Sequence, residues 1–133
     1  MSKSAIYVVN SASQEVPTNG TINPGTIVRR FGNNIGLAGT GIQISGPGYY
    51  EIKTSVTLVP TAEGEATVTA YLDGVEIPGA TATETSAAAG DYINLSFTSL
   101  VRQGCCCEGL STITFVLEGA STITNFATIV EKI

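Results

Sequence analysis

The sequence predicts an all-β domain of roughly eight to ten strands, arranged as a sandwich, jelly roll or barrel. Three observations carry that expectation. β-Branched residues alternate with polar ones along most of the chain, no stretch shows the apolar repeat of a long helix, and turn-forming residues recur at fairly even spacing. Ser4 to Asn10 reads as a first strand. Ser11 to Gly25 holds Pro17-Thr18-Asn19-Gly20 and Asn23-Pro24-Gly25, so a long surface connection is expected there. Thr26 to Phe31 is a short extended piece, and the glycine-rich run from Gly32 to Gly41 reads as irregular. Ile42 to Ile44 is a short strand stopped by Ser45-Gly46-Pro47-Gly48.

Tyr49 to Val59 is the longest clean strand, with Tyr50, Ile52, Val56 and Leu58 on one face. Tyr49, Glu51, Lys53, Ser55 and Thr57 share the other. Ala66 to Leu72 follows, with Val68, Ala70 and Leu72 inward, and Asp73-Gly74 is a two-residue hairpin signal. Val75 to Thr85 returns, but Pro78-Gly79 demotes it to an edge strand or a bulge. Tyr92 to Arg102, Leu110 to Glu118 and Ile123 to Ile133 complete the set. The expected organisation is one domain over residues 1–133, irregular over about 11–41 and a regular β-sandwich over 42–133.

Composition excludes several classes of function. Apolar residues make up 43% of the 133 and charged residues only 13%, about half the usual share, which argues against disorder. Six Lys and Arg against eleven Asp and Glu leave a net charge of -5, so neither nucleic acid nor an anionic membrane is an expected partner. The chain has no His, which removes the commonest general base and the commonest metal ligand. No apolar run is long enough to span a membrane as a helix. Met1 to Ser4 followed by Ala5 to Val9 is too short for a signal peptide, so synthesis in the cytoplasm is expected, with export inside a larger assembly.

The stretch Ile44-Ser45-Gly46-Pro47-Gly48-Tyr49-Tyr50-Glu51-Ile52 resembles the turn and long strand of the tumour necrosis factor and complement globular-head superfamily. Tyr71-Leu72-Asp73-Gly74-Val75-Glu76-Ile77-Pro78-Gly79-Ala80 is similar to the hairpin of its bacterial and phage branch, typified by the C-terminal domain of the spore-surface glycoprotein BclA. Ala127 to Ile133 looks like that branch's closing strand. The resemblance covers residues 40–133, and more loosely the first strand. It implies a ten-stranded jelly roll of two antiparallel sheets. It also implies a non-enzymatic homotrimer with no cofactor, displayed on a spore surface or a phage virion. The alternative is a carbohydrate- or receptor-binding head. No collagen-like stalk precedes the domain here, and the run Cys105-Cys106-Cys107 is foreign to the superfamily pattern.

Those cysteines cannot close a tetrahedral zinc site within one copy, because neighbours on an extended chain point in alternating directions. With no His to activate a thiolate, they read as reduced thiols or as an inter-subunit disulfide or metal site around a trimer axis. Glu63 with Glu65, and Asp73 with Glu76, are carboxylate pairs in turns, where solvated turn charges explain them better than glycosidase chemistry. Gly39-x-Gly41 and Gly46-x-Gly48 precede neither a helix nor a Lys, so they punctuate turns. Asn19-Gly20-Thr21 and Asn94-Leu95-Ser96 match the glycosylation pattern without secretory context. Asn33, Asn34, Asp91 and Tyr92 are the candidates for an apical binding site. Alternation sends Tyr49 and Tyr50 to opposite faces, so Tyr50 should enter the core and Tyr49 should face a neighbouring subunit or a ligand.

Overall fold

The computed structural model describes residues 3–88, 90–103 and 110–133. Cys105, Cys106 and Cys107 lie outside the described residues. Twelve strands are seen among them, in two antiparallel sheets. They are β1 (Ala5–Asn10), β2 (Gln14–Val16), β3 (Gly20–Thr21), β4 (Thr26–Phe31), β5 (Ile35–Ala38) and β6 (Gly41–Ser45). The second half holds β7 (Gly48–Pro60), β8 (Gly64–Leu72), β9 (Val75–Ser86), β10 (Ile93–Gln103), β11 (Leu110–Glu118) and β12 (Ser121–Lys132). Sheet A runs β10-β7-β12-β1-β4, and sheet B runs β5-β6-β11-β8-β9.

The two remaining strands do not widen either sheet. β1 pairs with β12 from Phe126 to Glu131, and β2 continues the same lane against Ser121 to Ile123. β3 likewise pairs with Val116 and Leu117 of β11, beyond the stretch that β6 occupies. The sandwich therefore has ten lanes, five per sheet, as the resemblance implies.

The reading of residues 11–41 as irregular needs correction. β2 to β5 fall within it, and Val16, Ile22 and Ile35 are buried in the core. Isolated apolar residues in a polar stretch carry no periodicity, so only the partner strands reveal where they go. β5 forms the edge of sheet B because β6 pairs with it from Gly41 to Ile44.

Within the long strand the alternation holds. Tyr50, Ile52, Val56 and Leu58 are fully buried, while Tyr49 and Lys53 are exposed. Phe115 of sheet B and Phe126 of sheet A meet edge to face, with ring centroids 5.0 Å apart, and tie the sheets together. Thr124 is an extra residue in β12, where the register against β7 shifts between Ile123 and Asn125. The shift lets Ile123 and Phe126, an odd number of residues apart, both point inward. Asp73 and Gly74 both take positive φ, 51° and 84°, and close the β8–β9 hairpin as its sequence signal requires. Opposite Ala70 the edge strand β9 bulges through Ile77 to Ala80, around Pro78-Gly79.

One polar pair sits inside this core. Thr54 and Thr128 face each other across β7 and β12, their hydroxyls 3.0 Å apart, and Thr128 Oγ1 also donates to the Lys53 carbonyl at 3.2 Å. Only one of the two hydroxyls therefore has a second partner. Thr128→Val should cost more than Thr54→Val, because it strands the buried Thr54 hydroxyl, at about 1–3 kcal/mol. Thr54→Val leaves Thr128 bonded to Lys53, and urea unfolding of the two variants should show that order.

Candidate functional site

Because β7 and β12 occupy the middle of sheet A, their outward residues form the centre of a broad face. Cross-strand rows can be read directly from the register. Thr98, Lys53, Ile129, Tyr7 and Arg29 lie side by side across β10, β7, β12, β1 and β4. The next row holds Ser96, Ser55, Ala127 and Val9. Small side chains in the second row leave a shallow groove of about 480 Å³ against Tyr7, Lys53 and Ile129. A second, almost wholly apolar depression of about 260 Å³ lies between Tyr7, Ile129, Arg29 and Phe31.

Tyr7 is 37% exposed, Ile129 39%, Leu100 54% and Phe31 59%, so this face shows more apolar surface than a solvated sheet needs. Its charges are few. Lys53 lies 3.8 Å from Glu51, which stands opposite Glu131, so one ammonium offsets two facing carboxylates. Tyr49, 48% exposed, sits at the end of the face, paired across strands with Arg102. It points out of the core as the alternation requires.

The apical candidates do not converge. Asn34 is a structural residue: its Nδ2 donates to the Ser45 carbonyl at 2.8 Å and its Oδ1 accepts from Ser4 Oγ at 3.1 Å. It belongs, with Asn33, to the end where β7 begins. Asp91 and Tyr92 precede β10, beside the end of β7, where the Gly90 N–H donates to the Pro60 carbonyl. The thirteen residues of β7 place about 40 Å between the two ends. Sequence proximity to turns could not reveal this, since only the topology assigns each turn to an end.

The remaining candidates are turn residues. Asp73 Oδ1 accepts from the Thr112 N–H at 2.8 Å, Asn19 takes φ of 68° in the turn before β3, and Glu63, Glu65 and Glu76 are exposed. Gly46 and Gly48 take φ of 87° and 141° in the turn into β7. Among the described residues there is no group of three or more His, Cys, Asp or Glu placed to hold a metal ion. No helix among them is long and apolar enough to cross a membrane.

No family model and no curated protein sequence matches the chain. Solved structures do. Murine APRIL, crystallised at pH 5.0, superposes with a TM-score of 0.72 at 15% identity, over 98% of this chain and 99% of that one. The PRD1 vertex protein P5 follows at 0.65 and 16%, covering 98% and 96%. The globular domain of the zebrafish complement 1qA protein gives 0.63 and 10%, covering 96% and 94%. The chain has the jelly-roll fold shared by tumour necrosis factor-like proteins and complement globular heads.

Proposed function

We propose that this is a non-enzymatic display protein that assembles as a homotrimer through the outer face of sheet A. The observation that carries the reading is that face: Tyr7 and Ile129 side by side at its centre, Leu100 and Phe31 exposed towards its margins, and a groove floored by small residues. A three-fold assembly covers such a surface in every copy with one kind of contact and leaves no open end. Tyr49 joins the contact from the rim. The resemblance to BclA-like domains and the presence of a vertex protein among the structural neighbours favour a particle surface, a virion or a spore, as the setting.

Light scattering on the purified protein at micromolar concentration should give about three times the chain mass, since an interface of standard size holds at that dilution. A single-chain mass would overturn the trimer. Mass spectrometry of purified virions and spores tests the setting separately.

A further inference from the structure

Folding gathers charge that the sequence spreads out. Glu15, Glu63, Glu65, Glu84, Asp91 and Glu118 all reach the end of the sandwich where β7 finishes. None of the six Lys and Arg accompanies them. Along β7 the nearest is Lys53, about 23 Å from Pro60.

A groove of about 530 Å³ opens at this end, between the last residues of β9 and the first of β10. It is lined by Glu84, Thr85, Ser86, Asp91, Tyr92 and Asn94. Tyr92 is 73% exposed, so its ring is available as a flat apolar surface at the rim. Thr57 Oγ1 donates to Asn94 Oδ1 at 2.7 Å, which occupies the amide oxygen and leaves the Nδ2 hydrogens as donors without a partner among the described residues. Ser86 Oγ donates to the Ala88 carbonyl at 2.6 Å and keeps its lone pairs for accepting. Glu84 and Asp91 only accept.

Those groups select a ligand class. Phosphates, sulfates and acidic sugars meet an end of the molecule with six carboxylates and no cation. A simple cation satisfies the carboxylates but offers no acceptor to the Asn94 N–H groups. A neutral pyranose offers both: each hydroxyl donates and accepts, and one face of the ring is lined with C–H groups that lie flat on an aromatic ring. We propose that this groove binds a neutral sugar, stacked on Tyr92, with hydroxyls held by Asp91 and Asn94. All the lining groups named come from one chain.

The test is a titration of the isotope-labelled full chain, followed by NMR, with the methyl glycosides of glucose, galactose, mannose and N-acetylglucosamine. Glucuronate and spermidine serve as controls. At least one neutral glycoside should shift the amide signals of residues 84–94 in a saturable way, and glucuronate should not. Tyr92→Ala should weaken that binding by about tenfold, with an unchanged melting curve, because the ring is exposed. Tyr92→Phe should restore it. The proposal fails if none of the glycosides shifts those signals, if Tyr92→Ala binds as the native protein does, or if spermidine alone occupies the groove.

Discussion

Replacing Tyr50 with Ala should unfold the protein or make it insoluble. The side chain is fully buried in the core between the two sheets, and truncating such an aromatic costs about 3–5 kcal/mol. That is a large part of the roughly 5–15 kcal/mol that stabilises a domain. Its hydroxyl adds a second function. Its single proton is shared between the Ser45 carbonyl at 2.6 Å and the Gly46 carbonyl at 2.9 Å, in the turn that carries the chain from sheet B to sheet A. The Ser45 carbonyl also receives Asn34 Nδ2, and Asn34 in turn holds Ser4, so one phenol fixes a corner where β1, β6 and β7 meet. Tyr50→Phe keeps the ring and loses only these bonds, and should cost about 1–3 kcal/mol. The two variants thus separate the packing from the hydrogen bonding, and circular dichroism with urea melts reads both.

The same phenol gives the fold an alkaline limit. Burial raises the Tyr50 pKa above its ordinary 10.0, because the charged phenolate is poorly solvated in the core. The folded state therefore holds its proton where the unfolded chain releases it. This contribution is fully present below the unfolded value and falls away as pH rises above it. Native protein should lose stability as pH rises above about 10, and Tyr50→Phe should lose less over the same interval.

Tyr50 also shows why much of the sandwich was legible in advance. Strand periodicity is a local property, so Tyr50, Ile52, Val56 and Leu58 declare one face without any knowledge of their partners. The Asp73-Gly74 turn is equally local, since both residues must take positive φ. β5 was not legible, because a glycine-rich edge strand is held by its neighbour's hydrogen bonds and not by its own propensity. Ile22 is a lone apolar residue in a polar stretch, yet its N–H donates to the Phe115 carbonyl at 2.8 Å and its side chain is buried in the core. Thr54 gives no inward signal by itself, because a hydroxyl on that face makes sense only with Thr128 opposite. For the candidate site the difficulty was one of distance. Asn34 and Asp91 both belong to polar turns in the sequence, and only the course of β7 shows that they stand at opposite ends.

If the proposed trimer forms through sheet A, Ile129→Lys should split it into folded single chains. Ile129 stands at the centre of the outer face of sheet A, with Tyr7 on one side and Lys53 on the other. In a single chain the position is 39% exposed, so a lysine can extend its ammonium into water, and the change in stability should stay within about 1 kcal/mol. In the assembled protein the same ammonium would be buried among apolar side chains beside Lys53, in all copies at once. An unpaired buried charge of that kind costs several kcal/mol per contact, more than a micromolar assembly can absorb. Light scattering should then report one chain mass, with the strand signal in circular dichroism unchanged. Tyr49→Ala, at the rim beside Arg102, should act in the same direction with a smaller effect, raising the concentration at which the trimer forms. Retention of the three-chain mass by both variants would show that the contact between subunits lies on another surface. Loss of the strand signal in Ile129→Lys, with Tyr7→Ser still folded and trimeric, would count against this face equally.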